Sequence, residues 1–160
     1  RKIDAVAVKR APLFTDRMES ALNEAGDFLL ARKEGVVDDS HILGEIGELT
    51  EALKEYQRAL DVKRNSSLAH YRVAAVFMLQ NNYQSAANAF REALNGDLEP
   101  KWTEVWAHIN LGRIFDITSQ RERAVNEYRQ AIRTKDNTQN AQEEASKHLQ
   151  TPYERPRSNN

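Results

Sequence analysis

Three stretches of the chain carry the same succession of apolar and polar positions: GELTEALKEYQRAL (47–60), NNYQSAANAFREAL (81–94) and SQRERAVNEYRQAI (119–132). Each has Ala, an aromatic, Ala and an aliphatic residue in one spacing: Ala52, Tyr56, Ala59, Leu60; Ala86, Phe90, Ala93, Leu94; Ala124, Tyr128, Ala131, Ile132. Offsets of four, three and one put these side chains on a single helical stripe, with charged and amide residues around the rest of the circumference. Each stretch therefore predicts an amphipathic helix. The alanines let a neighbouring helix approach closely, and the ring between them fills the space beyond.

A second segment recurs ahead of two of these helices. Residues 69–79, AHYRVAAVFML, match residues 107–117, AHINLGRIFDI, so that Val73, Ala74 and Phe77 correspond to Leu111, Gly112 and Phe115. The small residue stands 12 positions before the first Ala of the next helix in both cases, which predicts a unit of short helix, tight turn, short helix. Ala52 to Ala86 spans 34 residues and Ala86 to Ala124 spans 38. The four extra residues fall in NGDLEPKWTEV and are close to one helical turn. They predict a lengthened first helix in the third repeat, with Pro100 in its first turn and Trp102 and Trp106 sharing a face.

Helix pairs of this period and pattern resemble the tetratricopeptide repeat, whose signature is an aliphatic–small pair and an aromatic, then Ala, aromatic and Ala across two antiparallel helices. The resemblance runs from about Gly47 to Lys135 and lacks the family's usual Pro after the second helix and Trp early in the first. It implies an all-α fold: a right-handed α-solenoid of three helix pairs, the first with an insertion, closed by a C-terminal capping helix. Composition agrees on the class, since six Gly and four Pro in 160 residues are few for a sheet protein rich in turns.

The expected organisation is an extended lead-in over 1–12 and a repeat domain over 13–150. Its repeats fall at about 19–66 with an insertion at 33–46, at 67–104 and at 105–138, with a capping helix at 138–150 and a disordered tail at 151–160. Leu22, Ala25, Gly26 and Leu29 suit the first helix of the first repeat. The insertion around VVDDSHILGEI reads equally as a loop, a short helix from Asp38–Ser40 or an extension of a neighbouring helix. Ala141, Ala145 and Leu149 form the stripe of the terminal helix, which must cover the open end of the solenoid.

Charge and motifs narrow the chemistry. The 23 basic and 24 acidic side chains nearly cancel, giving a net charge of −1, so the chain lacks the field that nucleic-acid binding requires. No apolar run reaches the roughly 18–20 residues needed to span a bilayer. Without cysteine there is no thiolate chemistry and no signal of compartment, so cytoplasm and periplasm both stay open. A start at Arg1 rather than Met reads as a processed chain or part of a longer one. There is no phosphate loop, His-Glu-x-x-His helix or Gly-x-Ser-x-Gly elbow, and the expectation is a non-catalytic protein without cofactor or metal. His70 and His108 lie at spacings of four and three from Ala74 and Phe77 and from Gly112 and Phe115. Each is expected to fill an aromatic-sized slot with one hydrogen bond, because helix axes stand about 8–10 Å apart while zinc ligands must each come within about 2.0–2.1 Å.

In the tetratricopeptide family the first helices line a concave surface that takes extended or helical peptides. Carried over place by place, the resemblance implies a peptide-binding groove formed by Leu68, Tyr71, Arg72, Ala75, Met78 and Leu79 from one helix. Trp106, Ile109, Asn110, Arg113 and Asp116 supply the next. The carboxylate-clamp subtype does not fit, because Trp106 stands at its basic place and Arg72 at its Asn place. The expected partner is a protein, a peptide segment or another domain of the same polypeptide. Two alternatives remain: the helical accessory region of a larger enzyme, such as an extracytoplasmic hydrolase or peptidase, and self-association as a homodimer through Trp102, Trp106 and Tyr71.

Overall fold

The structure, a computed structural model, describes the backbone of residues 39–155 and the side chains of residues 49–155. The lead-in, the first helix of the first repeat, the His41 side chain and the end of the tail lie outside what is described. Among those residues every regular element is helical. In chain order they are α1 (Asp39–Val62), α2 (Ser67–Leu79), α3 (Tyr83–Leu94), α4 (Trp102–Ile117), α5 (Arg121–Arg133), a 3-10 turn (Thr138–Asn140) and α6 (Ala141–Gln150). The all-α class expected from the sequence is the one the described residues adopt.

Helix α1 belongs to one compact unit, and α2–α6 belong to a second that spans Asn65–Pro156. Within α1, Leu49, Ala52 and Tyr56 are buried along one stripe, and burial pushes the Tyr56 phenol far above its ordinary pKa. The helix runs unbroken from Asp39 into the amphipathic stretch. Of the three readings of the insertion, its residues 39–46 therefore take the extension of the following helix.

In the second unit α2 pairs with α3 and α4 with α5; α4 also meets α3 and α2, and α6 lies against α5 and α4. Ala86, Phe90 and Ala93 of α3 are buried, as are Ala124, Tyr128 and Ala131 of α5. Asn88 and Glu92 of α3 and Asn126, Arg129 and Gln130 of α5 are exposed on the opposite side, the amphipathic division the stripe requires, while Ala87 and Ala89 widen the buried side of α3. Across from them, Ala74 and Val76 of α2 and Leu111, Ile114 and Phe115 of α4 complete the core.

Both pairs turn on the same device. Asn81 (φ 58°) and Ser119 (φ 60°) occupy the left-handed region at equivalent places. The next amide reaches back to the helix end in each: Asn82 N to Phe77 O at 2.9 Å and Gln120 N to Phe115 O at 2.7 Å. This is the glycine-type helix ending built without glycine. Asn tolerates that conformation better than Ser does. Ser119→Gly is therefore expected to raise stability by about 0.5–1 kcal/mol, seen as a higher urea midpoint with an unchanged slope; an unmoved midpoint would show that the turn is unstrained.

The start of α2 is tied to the end of α3 and to the loop that leads on to α4. Ser67 is fully buried; its Oγ donates to Ala93 O at 2.6 Å and accepts from Leu98 N at 2.8 Å. The Asp97 carboxylate accepts from Ser67 N, and Asp97 N donates to Asn65 O. Gly96 lies so close that an added Cβ would stand 2.5 Å from Ser67 Oγ and 2.6 Å from Asn65 O. Helix α4 then begins at Trp102, three residues ahead of Val105, the counterpart of Ser67, so most of the added turn is helical. Pro100 lies outside it, contrary to the expectation from sequence: its carbonyl accepts from Thr103 N and Thr103 Oγ1 and so serves the helix start from two residues before it.

Candidate functional site

The eleven groove positions fall into two groups. On α2, Leu68, Tyr71, Ala75, Met78 and Leu79 are half-buried, while Arg72 is only 8% exposed. The Arg72 guanidinium lies 5.9 Å from the Tyr71 ring centre and 5.5 Å from that of Trp102. Tyr71 meets Trp102 edge-on at 5.1 Å and Phe90 at 5.4 Å. Burial lowers the Arg72 pKa to about 10. It pushes the Tyr71 phenol up to about 12, against the opposing pull of Arg113 and of the hydrogen bond from Asn110.

On α4 the corresponding positions face α6. Ile109 is fully buried with Val105, Ala131, Ala141 and Ala145, and Trp106 packs against the same cluster. The indole Nε1 donates to Thr138 O at 3.0 Å. Ile109 is therefore core and not groove floor. The physical reason is that Ala141 and Ala145 bring α6 close enough to close over it. Trp102 and Trp106, four residues apart, serve opposite neighbours: the first turns to α2 and the second to α6.

The polar residues of α4 are already engaged. Asn110 Nδ2 donates to Tyr71 Oη at 3.1 Å, Arg113 donates to Asn110 Oδ1 at 3.2 Å and to Glu144 Oε2 at 3.0 Å, and Glu144 meets His148 Nε2 at 3.2 Å. One chain of contacts thus links α2, α4 and α6. The Asp116 side chain is 1% exposed. It accepts from Arg121 Nη1 on both oxygens at 3.0 Å, and its Oδ2 also accepts from Tyr128 Oη and Tyr153 N at 2.8 Å each. Burial first, and then the Asp116 bond and charge, push the Tyr128 phenol far up.

Arg121 joins this knot to the end of α6, donating from Nη2 to His148 O and Leu149 O at 2.8 Å each. The segment expected to begin a disordered tail is consequently fixed at its start. The Tyr153 ring lies 5.2 Å from the Arg113 guanidinium, which sits 5.6 Å from the Trp106 ring, and it meets His148 edge-on at 5.2 Å. Sequence reasoning left Trp102, Arg121, Glu144, His148 and Tyr153 off the site. The available signal for the last was an aromatic bracketed by prolines in TPYERP, within an otherwise polar tail.

His108 Nδ1 meets Glu127 Oε2 at 2.7 Å across the α4–α5 contact, the one bond expected of it. Among the described residues no group of three or more His, Asp and Glu is disposed to hold a metal, and no described helix is long and apolar enough to cross a membrane.

His148 supplies a pH dependence. Burial, and then the charge of Arg113, lower its pKa below the ordinary 6.5, against the Glu144 charge and the backbone hydrogen bond with Thr151, which raise it. The folded chain thus binds this proton less readily than the unfolded one. The contribution is intact above about pH 6.5 and is lost as pH falls through the folded-state pKa. Glu144 acts in a lower window: burial raises its pKa, but the charge and hydrogen bond of Arg113 together with the charges of His148 and Lys147 bring it below the ordinary 4.5. The melting temperature is expected to fall between pH 7 and 5, and to fall less steeply in His148→Phe. Equal slopes would assign the dependence to another group.

No protein-family model matches the chain, and no curated protein sequence matches it. Solved structures do. A crystal structure of MamA is 16% identical, with a TM-score of 0.50 over 92% of this chain and 81% of that one. A crystal structure titled MamA protein is 14% identical, with a TM-score of 0.49 over 96% and 95% of the two chains. At this identity the first likeness is one of fold: a tetratricopeptide-like helical solenoid.

Proposed function

We propose that the chain is a non-catalytic scaffold whose α2 face receives a segment of a protein partner. The observation that supports it most is the circumference of α2. SLAHYRVAAVFML carries one Arg and one His among its 13 residues, with Val73, Ala74 and Val76 buried on one side and Leu68, Ala75, Met78 and Leu79 half-buried on the others. A helix apolar all round is suited to burial from more than one direction. α3 and α5 instead keep a polar outer face. Apolar side chains beside an aromatic–guanidinium cluster offer a partner the contacts that dominate binding energy at protein interfaces, namely aromatic and Arg anchors with aliphatic surroundings.

Affinity capture from the source organism's lysate, with wild type beside an Ala75→Glu/Met78→Glu chain, tests the reading. Both positions are half-buried, so the double variant is expected to retain its helical circular dichroism. A partner held by wild type should be lost from the variant. Identical captures from both chains would remove α2 as the binding face.

A further inference from the structure

We propose that the inner side of α4 at Arg113 and Asp116 is a second subsite, one that takes an extended protein segment bearing an aromatic residue, and that Thr151–Tyr153 is its resident intramolecular occupant. The subsite lies apart from the α2 face, and its test reads different residues, so the two readings fail separately.

The bound segment has the attributes of a docked peptide. Thr151 leaves α6 in extended conformation (φ −122°, ψ 123°), and Pro152 keeps the chain from re-entering a helix. Tyr153 then makes two contacts of generic type: its amide donates to Asp116 Oδ2, and its ring lies over the Arg113 guanidinium and edge-on to His148. Among the described residues its hydroxyl makes no hydrogen bond. The subsite therefore reads a backbone N–H and an aromatic face. Any extended segment can offer the first, and the second selects.

Exchange is inexpensive for the protein. When Tyr153 N departs, both Asp116 oxygens keep Arg121 and Oδ2 keeps the Tyr128 hydroxyl, so no buried charge is orphaned. α6 itself is held elsewhere, through the fully buried Ala141 and Ala145 and the Arg121 bonds to its last carbonyls. The segment can lift without the helix. Its tether holds Tyr153 at an effective concentration on the order of millimolar, so an incoming segment competes only if it is tighter or is anchored by further contacts. The occupant that fits is a segment of another protein with an aromatic residue that keeps its N–H.

The test uses the full chain and a labelled synthetic peptide, LQTPYER, the sequence of residues 149–155. Tyr153→Ala is expected to bind the peptide saturably in fluorescence anisotropy. Wild type and Tyr153→Phe are expected to bind at least about tenfold more weakly, because the tethered ring competes. A peptide with Ala in place of Tyr should bind none of the chains. Absence of binding to a helical Tyr153→Ala chain overturns the proposal, as does equal binding to all three. A wild-type dimer that Tyr153→Ala abolishes would make a second copy the occupant and overturn the assignment to another protein. A measurement that needs no variant is hydrogen exchange: excess unlabelled peptide should accelerate exchange at the wild-type Tyr153 amide, and unchanged exchange overturns the subsite.

Discussion

Gly112→Ala is expected to destabilise the chain by about 2–4 kcal/mol, even though Ala is the better helix former by about 1 kcal/mol. A Cβ at Gly112 would stand 2.4 Å from Tyr128 Cε1 and 2.7 Å from Cζ. The ring has little freedom to withdraw, since Tyr128 is wholly buried and its hydroxyl is bonded to Asp116. The preceding repeat has Ala74, Met78 and Phe90 at the places of Gly112, Asp116 and Tyr128, and there a methyl group is accommodated, with Ala74 and Phe90 both fully buried. Urea denaturation is the measurement. Tyr128→Phe releases the ring from Asp116, so Gly112→Ala should cost less in that background than alone. Additive costs would show that the ring is fixed by its surroundings and not by the hydroxyl.

That trio shows how far the chain's plan could be read in advance. The spacing of Ala, aromatic and Ala located α3 and α5, because only small and ring-bearing residues satisfy helices packed this closely, and the aliphatic–small–aromatic pattern located α2 and α4. The αL turns at Asn81 and Ser119 carried no glycine to announce them. The apolar circumference of α2 was legible in the sequence, but the enclosure of α4 was not. A first-helix residue such as Ile109 is groove or core depending on whether another helix arrives beside it, and its own side chain does not record the difference. Arg113 between two rings is equally ambiguous in sequence: the same residues serve a ligand clamp or a structural cation–π contact. Asp116 and Arg121 are five residues apart across a tight turn, a separation that no helical periodicity flags.

Asp116→Asn should have the second large effect, about 2–3 kcal/mol. The carboxylate is almost fully enclosed, and removing one partner of an enclosed ion pair costs about 3–5 kcal/mol. Arg121 is 34% exposed, so water takes up part of its lost pairing and lowers the figure. The amide retains the shape and one acceptor oxygen, yet its NH2 meets donors on the other side. Arg121, Tyr128 and Tyr153 then compete for the single acceptor. Arg121 also holds the last carbonyls of α6, so its displacement should loosen the C-terminal helix before the helix pairs separate. Hydrogen exchange will show this order: amides of Ala145–Tyr153 should lose protection in Asp116→Asn by more than those of α2 and α3. A uniform loss across the unit would mean that Asp116 stabilises the whole core and not the closure of its end. Arg121→Gln, which removes the carbonyl bonds and the ion pair together, should reproduce the local pattern while leaving Tyr153 N free to keep its bond to Asp116.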